Sequence, residues 1–247
     1  MSTLFKKLRK AIVGQKGRRN ESNRRDWVRQ ALSALPAGAR ILDAGAGSQQ
    51  YKSMCAHLRY VSQDFGKYDG VGDRTGLQKG TYEYGKTDII SDIERIPEPD
   101  GSFDAILCTE VFEHIPSPET AIREFSRLLK IGGYLILTAP FASLTHYAPY
   151  HFFSGFNRYF YEHFLPKSGF TIIEISKNGN LFDFLAQEIS RMDSVARKYA
   201  GARLGLMYQG LALLLLRRLN TLSRKDSGSG DVLCFGYHVL SRKEKQG

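Results

Sequence analysis

Acidic residues and two glycines near the start of the chain have a spacing typical of a nucleotide-binding site. The stretch ILDAGAG at positions 41–47 has the pattern of a buried strand that reaches Asp43 and is followed by a turn with Gly45 and Gly47. Glycine in such a turn lets the backbone approach a ligand closely. A dinucleotide fingerprint would have a third glycine where Gln50 stands, so the stretch argues against a pyrophosphate ligand. Only together with Asp64 and Asp92 does it predict a nucleoside ligand with little phosphate.

Further polar residues stand at the ends of the next predicted strands. Asp64 follows the glycine turn by about twenty residues, a distance that suits contact with ribose hydroxyls. Asp92 and the pair Thr109–Glu110 end the two strands after it. Because ligands bind beyond the carboxyl ends of the strands in open α/β sheets, we expect these side chains to share one site.

The elements that must position these residues alternate between short apolar runs and helical stretches. Strands are predicted at 40–43, 59–63, 87–91, 103–109, 133–138, 170–176 and 232–240. A long helical insertion is predicted at about 180–222. This alternation predicts an α/β fold with parallel βαβ units in an open twisted sheet.

The clearest predicted helix covers 117–130. Ser117 is expected to cap it, and Gly132-Gly133 to end it before the next strand. Its expected buried face consists of Ala121, Phe125, Leu128 and Leu129. A second helix is expected to bury Tyr159, Phe160, Tyr161 and Phe164.

The basic charge of the chain, formally +10, lies mostly outside the segment that carries the acids. Residues 1–30 hold ten Lys and Arg against two acidic residues, and residues 190–226 hold eight against two. Residues 31–189 hold fourteen basic against nineteen acidic residues. Enzymes of nucleic acid more often place positive charge around the cleft, so we expect no nucleic-acid partner.

Both basic segments also contain apolar residues at helical spacing. Residues 3–13 have one apolar face, which is typical of an interfacial helix or of an arm packed on the domain. The apolar run 204–216 is too short to span a bilayer and predicts a buried helix, a homodimer face or a helix inserted at a surface. We expect a basic amphipathic arm over 1–30 and one domain over 31–247, with an anionic membrane surface as partner of 1–30 and 190–222.

The three cysteines, Cys55, Cys108 and Cys234, form neither a metal-binding pattern nor an even disulfide set. We therefore expect reduced thiols and no metal site. No secretory segment is recognisable, which predicts a cytoplasmic location, peripheral on the inner face of a membrane. The basic start leaves a mitochondrial presequence as the alternative.

The segment from Ile41 to Phe141 resembles the class I S-adenosylmethionine-dependent methyltransferases. The similarity rests on ILDAGAG, on SQDF with Asp64, and on the run from SDIERIPEP through EVFEHIPSP to ILTAP. The loop departs from many members at Ser48–Tyr51, where they have a small pair such as Thr-Gly. Members associated with cell-surface polysaccharide biosynthesis look similar in a Gly-Ala-Gly-x-x-x-Tyr loop and in the aromatic segment 141–165.

This resemblance implies a Rossmann-like doubly wound sheet of seven mostly parallel strands with the last strand antiparallel. It also implies that S-adenosyl-L-methionine is the cofactor. The implied cofactor-binding residues are Asp43, Gly45, Gly47, Asp64, Asp92, Ile93, Thr109 and Glu110. A hydroxyl acceptor would need a base within hydrogen-bond reach, for which Glu110 and Glu113 are considered and His114, His146 and His151 are preferred. The alternatives are that the Glu-His-Ile turn is only structural and that the aromatic segment packs as a lid.

The expected function is O-methylation of a sugar or lipid-linked saccharide in cell-surface glycan synthesis. A quinone-like or other lipid acceptor is the second enzymatic interpretation. A non-catalytic cofactor-binding or membrane-adaptor protein on the same fold is the alternative from another class.

Overall fold

A seven-stranded sheet is the centre of the computed structural model, which describes residues 19–78 and 80–245. Its strands are β1 (Arg40–Ala44), β2 (Arg59–Asp64), β3 (Ile89–Ile90), β4 (Phe103–Thr109), β5 (Leu129–Pro140), β6 (Phe170–Asn178) and β7 (Gly236–Lys243). They lie in the order β3-β2-β1-β4-β5-β7-β6. The first five pair in parallel, and β7 runs antiparallel to β5. The predicted fold class is confirmed.

Five helices accompany the sheet in the described part of the chain. They are α1 (Arg19–Ser33), α2 (Pro118–Leu128), α3 (Arg158–Lys167), α4 (Leu181–Tyr199) and α5 (Leu206–Arg224). Short 3₁₀ turns cover Lys52–Cys55, Phe112–His114 and Ser229–Asp231. The predicted apolar helix at 3–13 lies outside the described residues. Among the described residues, no helix has both the length and the apolar character needed to cross a bilayer.

The core lies where β1 and β4 run side by side. Ile41 and Leu42 of β1, like Ile106 and Leu107 of β4, are fully buried. Central parallel strands are covered on both faces and therefore have continuous apolar runs. These two strands hold the polar residues at their carboxyl ends in fixed positions.

The helix α2 buries Ala121, Phe125 and Leu128 as predicted. Ser117 occupies its N-cap position, but its side chain makes no capping hydrogen bond, so the prediction of a side-chain cap is wrong. The helix also ends earlier than predicted, because Leu129 already pairs with Phe103 in the sheet.

The two glycines expected to end that helix lie inside β5 instead. Gly132 has a positive φ of 82°, which glycine adopts without strain, and Gly133 follows it within the strand. The pairing of β5 with β4 shifts register between Phe103 and Ala105, in the same part of the sheet. The glycine pair therefore belongs to an irregular strand.

Two further sequence predictions need correction. In α3, Tyr161 and Leu165 are buried but Tyr159 is 69% exposed, because residues two apart lie on nearly opposite faces of a helix. The last strand begins at Gly236 rather than at residue 232, and Val232 is exposed after a 3₁₀ turn.

The chain divides into two compact units. Of the residues that the structure describes, one unit comprises 26–176 and 236–245. The other unit comprises 19–25 and 177–235. In this second unit, α4 and α5 pack around Ala186, Leu216 and Leu219, and the Arg19 guanidinium lies 3.1 Å from the Asp183 carboxylate.

Candidate functional site

A cavity of about 310 Å³ opens at the carboxyl ends of the parallel strands. Asp64 at the end of β2, Asp92 after β3 and Glu110 after β4 all line its wall. The residues that line the cavity therefore include three carboxylates and one Lys or Arg side chain, that of Lys67. An acidic cavity of this kind favours a ligand that carries positive charge.

The Asp64 carboxylate holds the glycine turn against the end of β2. The backbone N–H of Gly47 donates to its Oδ2 at 2.8 Å, and the N–H of Gly66 donates to its Oδ1 at 3.0 Å. The N–H of Gly45 donates to the Gln63 carbonyl at 2.9 Å. Charge-assisted hydrogen bonds to both oxygens fix the orientation of the Asp64 carboxylate in the cavity wall.

The predicted cofactor-binding residues fall into two groups. Those that line the cavity are Gly45, Asp64, Asp92, Ile93 and Glu110. Asp43, Gly47 and Thr109 do not line it. Asp43 is buried, and its Oδ2 accepts a hydrogen bond from the Tyr60 hydroxyl at 2.6 Å. Burial raises the pKa of Asp43 to about 7, although the hydrogen bond from Tyr60 opposes this shift.

The residues that follow the glycine turn fasten it to the protein. Gln49 is buried, with a positive φ of 57°, and its Nε2 donates to the Ser62 hydroxyl at 3.1 Å and to the Lys86 carbonyl at 2.7 Å. Tyr51 is buried in the core, while Gln50 is exposed. The Gln49 side chain therefore ties the loop to the segment before β3. The third glycine of a pyrophosphate-binding loop is absent.

Three tyrosines between β2 and β3 form one side of the cavity, and the sequence analysis did not predict them. Tyr68, Tyr82 and Tyr84 line it together with Tyr147. The ring centroid of Tyr82 lies 5.4 Å from that of Tyr68 and 4.8 Å from that of Tyr84. A Cβ at Gly47 would clash with the Tyr82 hydroxyl, so this tyrosine packs directly on the glycine turn.

The three histidines preferred as bases come together in the structure. His114 ends the 3₁₀ turn after β4 and lines the cavity, whereas His146 and His151 follow β5 and do not line it. The ring centroid of His146 lies 4.6 Å from that of His114 and 5.0 Å from that of His151. Burial lowers the pKa of His151, and the neighbouring His146 adds to this effect.

The carboxylate of Glu113 completes this cluster. Its side chain is 1% exposed, and its Oε1 lies 3.7 Å from Nε2 of His114 and 3.9 Å from Nε2 of His146. The Glu113 carbonyl accepts a hydrogen bond from the N–H of Phe152 at 2.8 Å. This bond ties the turn after β4 to the aromatic segment after β5.

Backbone carbonyls set the orientation of two of the imidazoles. Nδ1 of His114 lies 2.6 Å from the Tyr150 carbonyl oxygen, and Nδ1 of His146 lies 2.8 Å from the Leu144 carbonyl oxygen. Because a carbonyl only accepts, each Nδ1 carries the hydrogen and donates it. Burial, helped by the nearby His146, lowers the pKa of His114 to about 3, so His114 is neutral at pH 7.

The middle of the chain matches a known family. Residues 42–137 fit the family described as a methyltransferase domain. The match runs from β1 to β5 and so contains the three carboxylates of the cavity wall. This segment is similar to a methyltransferase domain. The predicted resemblance is confirmed at this level, whereas the link to cell-surface polysaccharides stays a prediction.

Two curated proteins are similar to part of this chain. A ubiquinone biosynthesis O-methyltransferase of Dechloromonas aromatica is 34% identical over 118 residues, which cover 46% of this chain and 48% of the relative. Its counterpart in Xanthomonas oryzae pv. oryzae is 35% identical over 118 residues, with coverage of 47% and 48%. The chain spans about half the length of the curated relatives it matches.

Solved structures share the fold over nearly the whole chain. The [4+2]-cyclase SpnF superposes with a TM-score of 0.54 at 17% identity, covering 90% of this chain and 81% of that one. The YcgJ protein of Bacillus subtilis superposes with a TM-score of 0.50 at 15% identity, covering 91% and 99%. Identities this low show the fold alone. Since one of these proteins is named a cyclase, the reaction must be argued from the site.

Proposed function

We propose that this protein is an S-adenosylmethionine-dependent O-methyltransferase. The observation that carries the proposal is that one cavity joins the acidic wall of the methyltransferase domain to the histidine cluster, through His114. The acidic wall suits a cationic cofactor, and the cluster offers groups that accept a proton. Both parts are needed if a methyl group is to be transferred to a hydroxyl.

The cavity fits the cofactor in size and in chemistry. Its volume of about 310 Å³ is at the lower end of the usual range for small-molecule sites. Asp64 would accept hydrogen bonds from ribose hydroxyls, and Ile93 would pack on the adenine. Glu110 and the tyrosine rings would face the positive centre, since ring faces attract cations. When bound, S-adenosylmethionine supplies an electrophilic methyl group.

The residues around His114 would bind and orient the acceptor. Tyr147, Tyr150 and Phe152 line the cavity together with His114. A hydroxyl placed beside the cluster can give its proton to the imidazole of His146 or His151. His114, which a pKa of about 3 makes a weak base, would orient the acceptor. Much of the acceleration in such a transfer comes from holding the reacting atoms in position.

For the acceptor, we propose a hydroxyl on a sugar or a lipid-linked saccharide, as in cell-surface glycan synthesis. The support is the resemblance in the glycine loop and in the aromatic segment that contributes Tyr147, Tyr150 and Phe152 to the cavity. Aromatic rings pack against the apolar faces of sugars as they do against other apolar groups.

A phenolic, quinone-like acceptor is the second candidate. It is favoured by the names of the relatives in Dechloromonas aromatica and Xanthomonas oryzae, which are ubiquinone biosynthesis O-methyltransferases. The same aromatic side chains would pack on a phenol ring. Because the similarity covers only about half of each relative, their names do not decide between the two acceptors.

We also propose that the second unit binds an anionic membrane surface, with the protein on its inner, cytoplasmic face. Exposed apolar residues of α5 are Leu206, Met207, Leu211, Leu214 and Leu215. Exposed arginines of the same region are Arg203, Arg217 and Arg218. Apolar side chains beside basic ones suit insertion at the headgroup level of an anionic bilayer. A homodimer through this surface is the alternative outcome of the membrane-binding test.

A radiolabelled methyl-transfer assay tests the function. The full chain with labelled cofactor should transfer label to a saccharide pool or to a phenolic acceptor, and the product identifies which class is used. Binding of S-adenosylhomocysteine without transfer to either class would favour the non-catalytic interpretation. Absence of binding would contradict the proposed function as a whole.

A further inference from the structure

The histidine cluster contains three ligand atoms that converge on one point. Glu113, His114 and His146 each offer an atom, and these atoms all lie within 4.8 Å of one another. In a tetrahedral site with metal–ligand distances near 2.0–2.2 Å, ligand atoms lie roughly 3.3–3.6 Å apart. The measured distances of 3.7 and 3.9 Å from the Glu113 Oε1 to the two Nε2 atoms are a few tenths of an ångström longer.

The orientation of the two imidazoles is a second, independent observation. Each donates its Nδ1–H to a backbone carbonyl, Tyr150 for His114 and Leu144 for His146. Histidine ligands of metals typically donate the other ring nitrogen in this way, which fixes the tautomer and aims the ring. In both residues the nitrogen left for coordination is Nε2, the atom that faces Glu113.

The geometry points to a divalent transition-metal site formed by Glu113 Oε1, His114 Nε2 and His146 Nε2. Two imidazoles and one carboxylate suit Zn²⁺, Mn²⁺ or Fe²⁺, whereas Mg²⁺ and Ca²⁺ prefer oxygen ligands. Three protein ligands leave at least one position for an outside oxygen, as in catalytic metal sites. Sequence analysis predicted no metal from the spacing of the cysteines. It did not consider Glu113 with His146, which are far apart along the chain.

In the proposed methyl transfer, the cation would bind and activate the acceptor hydroxyl, and this role rests on the proposed function. His114 also lines the cavity, so an acceptor oxygen bound at the open position would lie at the edge of the cofactor site. A bound cation lowers the pKa of a coordinated hydroxyl and orients it. His151 lies next to His146, outside the three ligands, with its Nε2 3.1 Å from the Ser143 hydroxyl, and it would accept the released proton.

Binding of Zn²⁺ or Co²⁺ to the full chain tests the site without any methyl transfer. The chelator-treated protein is titrated with Zn²⁺ by calorimetry and with Co²⁺ by visible absorption, and one cation per chain is expected. His146→Ala, at a partly exposed position, should weaken binding at least tenfold and change the Co²⁺ spectrum. His163→Ala, in α3 away from the cluster, is the matched control and should bind as the wild type does.

The outcomes separate this inference from the proposed function. Equal cation affinity in the wild type and in His146→Ala, or no binding to the wild type, would overturn the metal site. Glu113→Gln provides a second variant, and if it folds it should also lose the cation. Titration of the same samples with S-adenosylhomocysteine reports on the cofactor site separately, and a protein that binds this ligand but no cation refutes only the metal.

Discussion

Nε2 of His146 lies 3.9 Å from Oε1 of Glu113, although the two residues come from segments that follow different strands. The contact joins the turn after β4 to the aromatic segment after β5. Both segments start at the carboxyl edge of the sheet, where open α/β proteins bind ligands. The acceptor side of the site is therefore built from two parts of the chain that meet only in the fold.

Replacement of His114 should impair turnover more than cofactor binding. His114→Ala is expected to lower kcat about a hundredfold, since a small misplacement of the reacting atoms can cost roughly 10²-fold. The affinity for S-adenosylhomocysteine should stay within about twofold of the wild type, because the three carboxylates of the cavity wall are unchanged. His163→Ala is the control. Full activity of His114→Ala would remove the histidine cluster from the reaction.

The contact between Gly47 and Tyr82 predicts a steric effect at the glycine turn. Gly47→Ala should lower the free energy of unfolding by more than Gly38→Ala does. Both positions have positive φ, but a Cβ at Gly38 meets nothing within 4 Å, whereas at Gly47 it meets the Tyr82 hydroxyl. Positive φ alone costs about 1–2 kcal/mol for an alanine, so the excess reports the clash.

Tyr82→Phe, which removes the hydroxyl, should recover part of the loss in the Gly47→Ala background. Urea unfolding of the wild type, Gly38→Ala, Gly47→Ala and Gly47→Ala/Tyr82→Phe measures both the clash and its relief. An equal loss for the two glycine variants would mean that Tyr82 does not pack on the turn.

The raised pKa of Asp43 predicts a pH dependence of stability. The folded state holds the proton more tightly than the unfolded state, so the stabilisation from protonated Asp43 is full below pH 4 and is lost as the pH rises through 7. A rise of the Asp43 pKa from 3.8 to about 7 corresponds to at most about 4 kcal/mol in the free energy of unfolding. Asp43→Asn should lack this loss, so its stability relative to the wild type should increase between pH 4 and pH 8.

Denaturant unfolding of both proteins across this range measures the difference. If the difference stays constant with pH, the Asp43 carboxyl does not titrate as its burial implies.

The exposed face of α5 predicts binding to anionic vesicles. Leu211→Glu with Leu214→Glu should reduce co-sedimentation with phosphatidylglycerol vesicles, because it removes apolar side chains and adds negative charge. Ile131→Glu, an exposed apolar position in the other unit, is the matched control. A change from dimer to monomer in Leu211→Glu/Leu214→Glu, without a change in vesicle binding, would assign the face to self-association.

Much of the sheet could be predicted from the sequence because its strands are buried. The continuous apolar run of β4 was predicted at its observed bounds, 103–109, and Asp64 was placed at the end of β2. The start of β5 was missed because glycines normally end helices, whereas Gly132 here lies in an irregular strand. Local patterns gave no sign of the pairing that begins at Leu129.

The candidate site was predictable only in part. The acids at strand ends follow from topology, since each closes a strand of one parallel sheet. The tyrosines at 82 and 84 lie in a long connection without periodicity, so nothing local placed them in the cavity. Glu113 and His146 meet only because of how two loops fold. Residue types and spacing along the chain do not predict these loop conformations.

Calorimetric titration of S-adenosylhomocysteine into the wild type and into Asp64→Asn tests the central claim most directly. The wild type should bind one molecule, and Asp64→Asn should bind roughly tenfold more weakly or worse, because charge-assisted hydrogen bonds to the ligand are lost. Asp69→Asn is the matched control, since the exposed Asp69 also accepts two backbone N–H bonds but lies outside the cavity. Equal affinity in all three proteins, or no binding to the wild type, would contradict a cofactor site at Asp64.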